Sequence, residues 1–155
     1  MAQRMRQPTP DANIAPASPQ DFDEVIELLD AAALPTGDLE RSSMAQFLVA
    51  RDGSGKVIGA IGVERYGRTA LLRSLVVIPG CRNRDLGTQL LAKLEARCRS
   101  WAMADLFLLT TTARDFFARQ RFQAIGRESA PLELRTAAEF TRLCPGTAVC
   151  MTKSL

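Results

Sequence analysis

The stretch from Ala70 to Ser100 constrains the fold most. Ala70–Ile78 is an apolar, strand-forming run closed by Pro79-Gly80. Cys81-Arg82-Asn83-Arg84-Asp85 follows. Leu86–Ser100 then reads as an amphipathic helix, with Leu86, Leu90, Leu94, Cys98 and Trp101 on one face. A strand that feeds a helix through a short turn calls for a layered α/β arrangement. The helix start offers unpaired N–H groups and a positive dipole end, which suit a phosphate. Arg82 and Arg84 add charge and donors, and Gly87 lets a ligand approach the backbone closely. An ordinary strand–helix turn with solvated arginines has the same spacing.

The flanking sequence extends the α/β pattern. Residues 1–12 are read as a disordered tail and 13–155 as a single domain. Asn13–Pro16 suits a short edge strand. Ser18 offers an N-cap, Pro19 the first helical position and Asp21 the third. Phe22, Val25, Ile26, Leu29, Ala32 and Ala33 then keep helical spacing, and Leu34-Pro35-Thr36-Gly37 stops it. A weaker helix is expected around Leu39–Met44. Phe47–Arg51 and Val57–Tyr66 read as strands joined by the turn Asp52-Gly53-Ser54-Gly55. Leu106–Thr110 is a buried-type strand. Thr112 and Asp115 resemble a capping pair for a helix through Gln120. Phe122–Gly126 and residues 147–152 suit strands, and a short helix is expected near 136–143.

Composition removes whole classes of chemistry. The 155 residues contain no histidine. A Ser–His–Asp or Cys–His nucleophile and a His-ligated zinc are therefore excluded, and no metal site is expected. The net charge of +3 is too mild to imply a nucleic-acid partner by itself. A basic patch of Arg82, Arg84, Arg97, Arg99 and Arg114–Arg121 is more simply read as solvated helix faces. No apolar run reaches the ~18 residues that span a bilayer. The four cysteines form no C-x-x-C pair. A cytoplasmic chain with reduced thiols, no nucleic acid and no membrane is the expectation.

Leu75-Val76-Val77-Ile78-Pro79 followed by Arg82-x-x-Asp85-x-Gly87 resembles the GNAT N-acetyltransferase superfamily, whose motif is (Arg/Gln)-x-x-Gly-x-(Gly/Ala) after a strand ending Val-x-Pro. Ala113, Phe116-Phe117 and Arg121-Phe122 are similar to that family's Ala-x-x-x-Tyr-x-x-x-Gly-Phe. A narrower resemblance is to arsenic-resistance-associated members. It rests on Leu34–Leu39, Phe47–Arg51, Ala70–Val77, Leu109–Thr112 and Leu143–Met151.

The resemblance implies a mixed, largely antiparallel sheet with a splayed central strand pair and flanking helices. It implies acetyl-CoA as cosubstrate and a small-molecule amine as acceptor, linked to arsenic resistance; a homodimer is compatible with it. Val76 and Val77 would hold the pantetheine arm. Arg82, Asn83, Arg84, Asp85, Leu86, Gly87 and Thr88 would hold the pyrophosphate, and Phe116 and Phe117 would complete the cofactor site. An acceptor amine would attack the thioester directly, with positioning supplying much of the rate. Glu64 is the candidate base. Tyr66 and Thr110 are hydroxyl candidates for the acid.

Three departures from the family pattern bear on this. Asp85 replaces the first family glycine, either facing the phosphates or capping the helix at Leu86. Phe117 replaces the tyrosine that protonates the leaving thiolate. Arg73 and Ser74 lie where the acceptor would bind, and period-two alternation puts Arg73 on one face with Leu75 and Val77. Arg73 suits an anionic, amino-acid-like acceptor or an ion pair with Glu64. Cys144 and Cys150 suit either arsenite binding or burial as small hydrophobes. A CoA-binding or arsenical-sensing module without catalysis is the alternative.

Overall fold

The computed structural model describes residues 13–137, 140 and 146–155, with the backbone alone at 82–84. Seven strands form one sheet in the order β1-β2-β3-β4-β5-β7-β6. They are β1 (Asn13–Pro16), β2 (Phe47–Arg51), β3 (Val57–Tyr66), β4 (Thr69–Val77), β5 (Asp105–Thr110), β6 (Gln123–Ile125) and β7 (Val149–Ser154). All neighbours are antiparallel except β4 and β5, which run parallel. The helices are α1 (Phe22–Ala31), α2 (Leu86–Ser100), α3 (Arg114–Arg119) and α4 (Leu132–Arg135).

The two long helices cover opposite faces of the sheet. On one face, Leu86, Leu90, Leu91, Leu94 and Cys98 of α2 pack with Leu48, Ile61, Leu72, Val77, Leu106 and Leu108. On the other, Val25 and Leu29 of α1 pack with Phe47, Val49, Ala60 and Val76. The β4–β5 crossover through α2 is the strand–helix–strand unit that a parallel pair requires.

Local chemistry sets the boundaries. The Asp21 carboxylate accepts the Ser18 amide at 2.8 Å, but only Pro19–Asp21 forms a 3-10 turn there, and the α-helix proper begins at Phe22. α1, α2 and α3 end alike, each with a left-handed residue just past the helix: Ala33 (φ 58°), Ala102 (φ 59°) and Arg121 (φ 73°). Their flanking amides return to the last turn, as in Leu34 to Leu29, Met103 to Cys98 and Phe122 to Phe117. None of the three is glycine.

Several expectations shift. The weak helix at Leu39–Met44 is a 3-10 segment at Arg41–Gln46. The C-terminal strand is Val149–Ser154, and β6 is shortened to Gln123–Ile125. The helix expected near 136–143 is preceded by α4 at Leu132–Arg135; residues 138, 139 and 141–145 lie outside the described residues. So does the tail 1–12. Thr112 and Asp115 do not cap α3, whose N-cap position is Ala113. Thr110 intervenes instead, its hydroxyl oxygen accepting the Ala113 amide at 3.0 Å. No helix among the described residues is long and apolar enough to cross a membrane.

Candidate functional site

The site forms where two parallel strands part. β4 and β5 pair only at Thr69–Asp105, Ala70–Leu106 and Leu71–Phe107. Beyond Leu71 the strands diverge, and β5 pairs with β7 along its whole length. The divergence opens a cleft of about 900 Å³. One side is Leu72, Ser74, Leu75, Val76 and Val77 of β4, and the other is Leu108, Leu109 and Thr110 of β5. Ala32–Pro35, just after α1, wall one end, and Phe116, Phe117 and Arg119 of α3 wall another.

The parting has a local cause. Ser74 has φ 59°, in the left-handed region. The β3–β4 register slips there, from Gly62–Arg73 to Ala60–Val76. This is a bulge: one extra β4 residue is set against β3, and every side chain beyond it changes face. Arg73 therefore does not share a face with Val77. Val77 packs on the α2 side, whereas Val76 joins the α1 side with Ala60. The alternation drawn from the sequence fails at this one residue.

Arg73 is 2% exposed, and its guanidinium is fully committed. Nε donates to Ser74 Oγ at 3.0 Å. Nη1 donates to Asp38 Oδ2 at 2.5 Å and to Glu64 Oε2 at 3.0 Å. Nη2 donates to Asp38 Oδ1 at 3.0 Å and to the Pro35 carbonyl at 3.3 Å. Those five bonds match the five N–H donors that arginine possesses. The ion pair with Glu64 thus forms, and the guanidinium has no donor left over for an acceptor's acid group in this arrangement.

Glu64 carries a second partner. The Tyr66 hydroxyl donates to its Oε1 at 2.7 Å. Burial first, and then that carboxylate, push the Tyr66 phenol well above its ordinary pKa. A phenol held this way is a weaker acid than a thiol, so it is poorly matched to protonating a thiolate. Neither Glu64 nor Tyr66 is among the described residues that line the cleft, whereas Thr110 is. The structure brings Glu64, Tyr66, Arg73 and Ser74 into one polar chain and leaves Thr110 apart from it.

The start of α2 lies against α3. A Cβ at Gly87 would meet only Phe116, at 3.6 Å. That is ordinary contact, so no neighbour among the described residues demands glycine there. Thr88 Oγ1 lies 3.5 Å from Gln120 Nε2. Leu86 is buried and anchors the turn in the α2 core. Asp85 is exposed, has φ 56° and sits at the N-cap position, yet its side chain makes no capping bond; its carbonyl accepts Gln89 N–H. The expected capping role is thus not what the carboxylate performs. The backbone conformation is instead one that glycine or aspartate tolerates. Residues 82–84 form the end of a 3-10 turn beginning at Pro79.

Phe117 is 5% exposed and meets Phe116 and Phe122 edge-to-face, with centroids 5.1 and 5.4 Å away. It offers the cleft hydrocarbon and no proton. Cys98 and Cys150 are buried, and burial pushes both thiols up to about 11. Cys150 packs with Leu71, Phe107 and Leu134 as a small hydrophobe. Cys144 lies outside the described residues. Among the described residues, no group of three metal-ligating side chains converges.

Sequence reasoning missed Asp38 and the Ala32–Pro35 wall as site components. Asp38 meets Arg73 across 35 residues, a separation that no local spacing reveals.

Comparison with known proteins agrees with this geometry. Over 93 residues, 60% of its length, the chain is 33% identical to an amino-acid acetyltransferase of Azotobacter vinelandii. Over 89 residues it is 34% identical to an uncharacterized N-acetyltransferase of Chlorobaculum tepidum. The matches span 22% and 56% of those proteins. In structure it is similar to N-acetylglutamate synthase of Neisseria gonorrhoeae complexed with coenzyme A and N-acetyl-glutamate, with TM-score 0.81 and 18% identity, over 93% of this chain and 35% of that one. A Mycobacterium tuberculosis protein solved with CoA and NLQ gives TM-score 0.78 at 21% identity, covering 92% and 99% of the two chains. Residues 8–126 match the acetyltransferase (GNAT) family, and with the splayed strands and the glycine at the start of α2 in place, the chain belongs to that family.

Proposed function

We propose that this chain is an acetyl-CoA-dependent N-acetyltransferase acting on the amino group of a small, amino-acid-like acceptor. The observation that carries the reading is the parting of β4 from β5 beyond Leu71, which opens a cleft between two strand edges. Family membership and CoA-bound structural neighbours support it.

The cleft fits the cosubstrate on its own terms. Its β4 side is a strand edge that an extended arm can join, in the manner of an added strand, with Val76 and Val77 alongside. Gly87 leaves open a place that no described side chain fills, beside the N–H groups of a 15-residue helix. Arg82, Asn83, Arg84, Asp85, Leu86, Gly87 and Thr88 would hold the phosphates, and Phe116 and Phe117 would flank the arm. Bound acetyl-CoA would supply the acyl group as an activated thioester.

The chain's own residues then orient and exclude. Leu72, Leu75, Leu108 and Phe117 keep water from the reacting groups, and the Ala32–Pro35 wall confines the acceptor. Glu64, which stands outside the cleft lining with Tyr66 and Arg73 each holding one oxygen, is the proposed proton acceptor through an intervening water. Thr110 is the hydroxyl that lines the cleft. With Phe117 in the tyrosine position, orientation carries more of the rate than proton transfer does.

The amino-acid-like acceptor draws support from the amino-acid acetyltransferase relative. An arsenical amino acid is the member of that class to which the sequence resemblance points. The test is thiol release from acetyl-CoA with a panel of amino acids and their phosphinic and arsenical analogues. Turnover of at least one is expected; acetyl-CoA binding without turnover of any would instead favour a non-catalytic CoA-binding module. Phe117 is the observation on that side.

A further inference from the structure

We propose that Asp38 and Arg73 are positioning residues whose ion pair sets the gap between the loop after α1 and the β4 bulge, and thereby the fit of the acceptor. The proposal rests on the acetyltransferase reading. It concerns a residue, Asp38, that neither the motif nor the cleft lining singles out.

A single guanidinium ties three parts of the site together. It holds the wall, through the Pro35 carbonyl and both oxygens of Asp38. It holds the cleft floor, through Ser74 at the bulge. It holds β3, through Glu64. Other hydrogen bonds of this loop are local, among them those from the Leu39 amide to the Thr36 carbonyl, from the Leu34 amide to the Leu29 carbonyl and from the Thr36 hydroxyl to Asp30. Ala32–Pro35 line the cleft while Asp38 lies beyond them, so the ion pair acts on the wall from outside the acceptor's reach.

The chemistry favours a geometric role over a stabilising one. Burying a charged pair gains little net stability, because desolvation opposes the attraction. A bidentate fork fixes two planar groups in distance and angle, which a hydrophobic contact does not. The chain also continues along β3, away from the cleft. Glu64 accepts from Tyr66, and Tyr66 packs on the cluster of Leu71, Phe107, Leu134 and Ala137. The polar chain thus ties the wall to the fully paired part of the β3–β4 ladder.

The test uses the full-length chain and the variants Asp38→Asn, Arg73→Lys and their combination. Leu39 stays in the α1 core, so Asp38→Asn keeps the loop attached, and near-ultraviolet circular dichroism checks each fold. Hydrogen exchange without ligand is the readout independent of turnover. Amides of residues 34–38 should exchange about tenfold faster in Asp38→Asn, with α2 unchanged. In thiol-release kinetics, Asp38→Asn and Arg73→Lys should each lower kcat/KM for the acceptor by about tenfold or more, and the double variant should lose no more than either alone. Acetyl-CoA affinity by calorimetry should stay within about twofold of wild type. Unchanged exchange at 34–38, additive losses, or a parallel loss of acetyl-CoA affinity would each overturn the proposal. A wild type that releases no thiol with any acceptor overturns the acetyltransferase reading, and the loop-exchange result then separates a structural ion pair from none at all.

Discussion

The ring of Phe47 lies directly over Gly62. A Cβ built at Gly62 would stand 2.7 Å from Phe47 Cζ and 2.9 Å from both Cε atoms. Phe47 and Gly62 are register partners on β2 and β3, and Phe47 is fully buried. The ring fills the space that a side chain would occupy, so Gly62→Ala must push it or the strand aside. Such overpacking costs about 1–3 kcal/mol. Urea unfolding should show that loss at unchanged m-value.

Gly87 separates stability from ligand binding. A methyl there finds only Phe116 at ordinary contact distance. Alanine also suits a helix better than glycine, by about 1 kcal/mol. Gly87→Ala should therefore leave thermal stability equal or higher. Acetyl-CoA affinity by calorimetry should nevertheless fall at least tenfold, because the methyl stands where a phosphate would approach. An unchanged affinity would show that the first turn of α2 does not contact the cosubstrate.

The helix ends offer a second test. Ala102 and Arg121 adopt positive φ where glycine is the unstrained choice. Relief of that conformation is worth about 1 kcal/mol per residue, less the added entropy of a glycine in the unfolded chain. Ala102→Gly and Arg121→Gly should each raise Tm by a few degrees. Asp85→Gly should gain less, since aspartate tolerates the left-handed region better, and removing its carboxylate should tighten acetyl-CoA binding if it faces the phosphates.

Asp21 makes stability depend on acid pH. Burial acts to raise its pKa, but the Arg51 hydrogen bond at 2.6 Å, the Ser18 amide and the Arg51 charge together outweigh that and hold it below the usual value. The unfolded aspartate titrates near ~3.9. The stabilisation is thus complete above that pH and is lost as pH falls through the lower, folded value. Asp21→Asn should cost roughly 1–3 kcal/mol at neutral pH. It should also flatten the decline in stability below about pH 4, measured by denaturant titration across pH.

How far the sequence discloses this molecule depends on the range of the interactions involved. The apolar face of α2 and the Pro79 stop are local signals, and both mark real elements. The β4–β5 splay was implied by resemblance and is present in the pairing. The end of α1 is harder to place, because Ala33 takes a conformation whose usual marker is glycine, whereas α2 ends at Ser100 and α3 beside Gln120 as their spacing predicts. Spacing points to Thr112 as the cap in place of Thr110, since both hydroxyls precede α3 and nothing local distinguishes them. The Arg73–Asp38 pair was invisible, because its partners meet only after the sheet and α1 have assembled. Ser74 was invisible for another reason: serine carries no signature of a bulge, yet it reverses the alternation from which the acceptor face was drawn.

That reversal leaves β4 with one residue that its packing does not need. Its first half, through Arg73, and its second half, through Val77, obey opposite phases, joined by one surplus residue. Exchanging a side chain anywhere along it changes one contact. Deleting Ser74 would restore a regular strand in which Leu75, Val76 and Val77 keep the sides they now face. The α1 and α2 cores would keep their own residues, while the bulge and the Arg73 bond to Ser74 Oγ would be lost from the edge that lines the cleft. A deletion scan should find Ser74 the β4 position whose loss the fold tolerates best, with acetyl transfer rather than stability taking the damage.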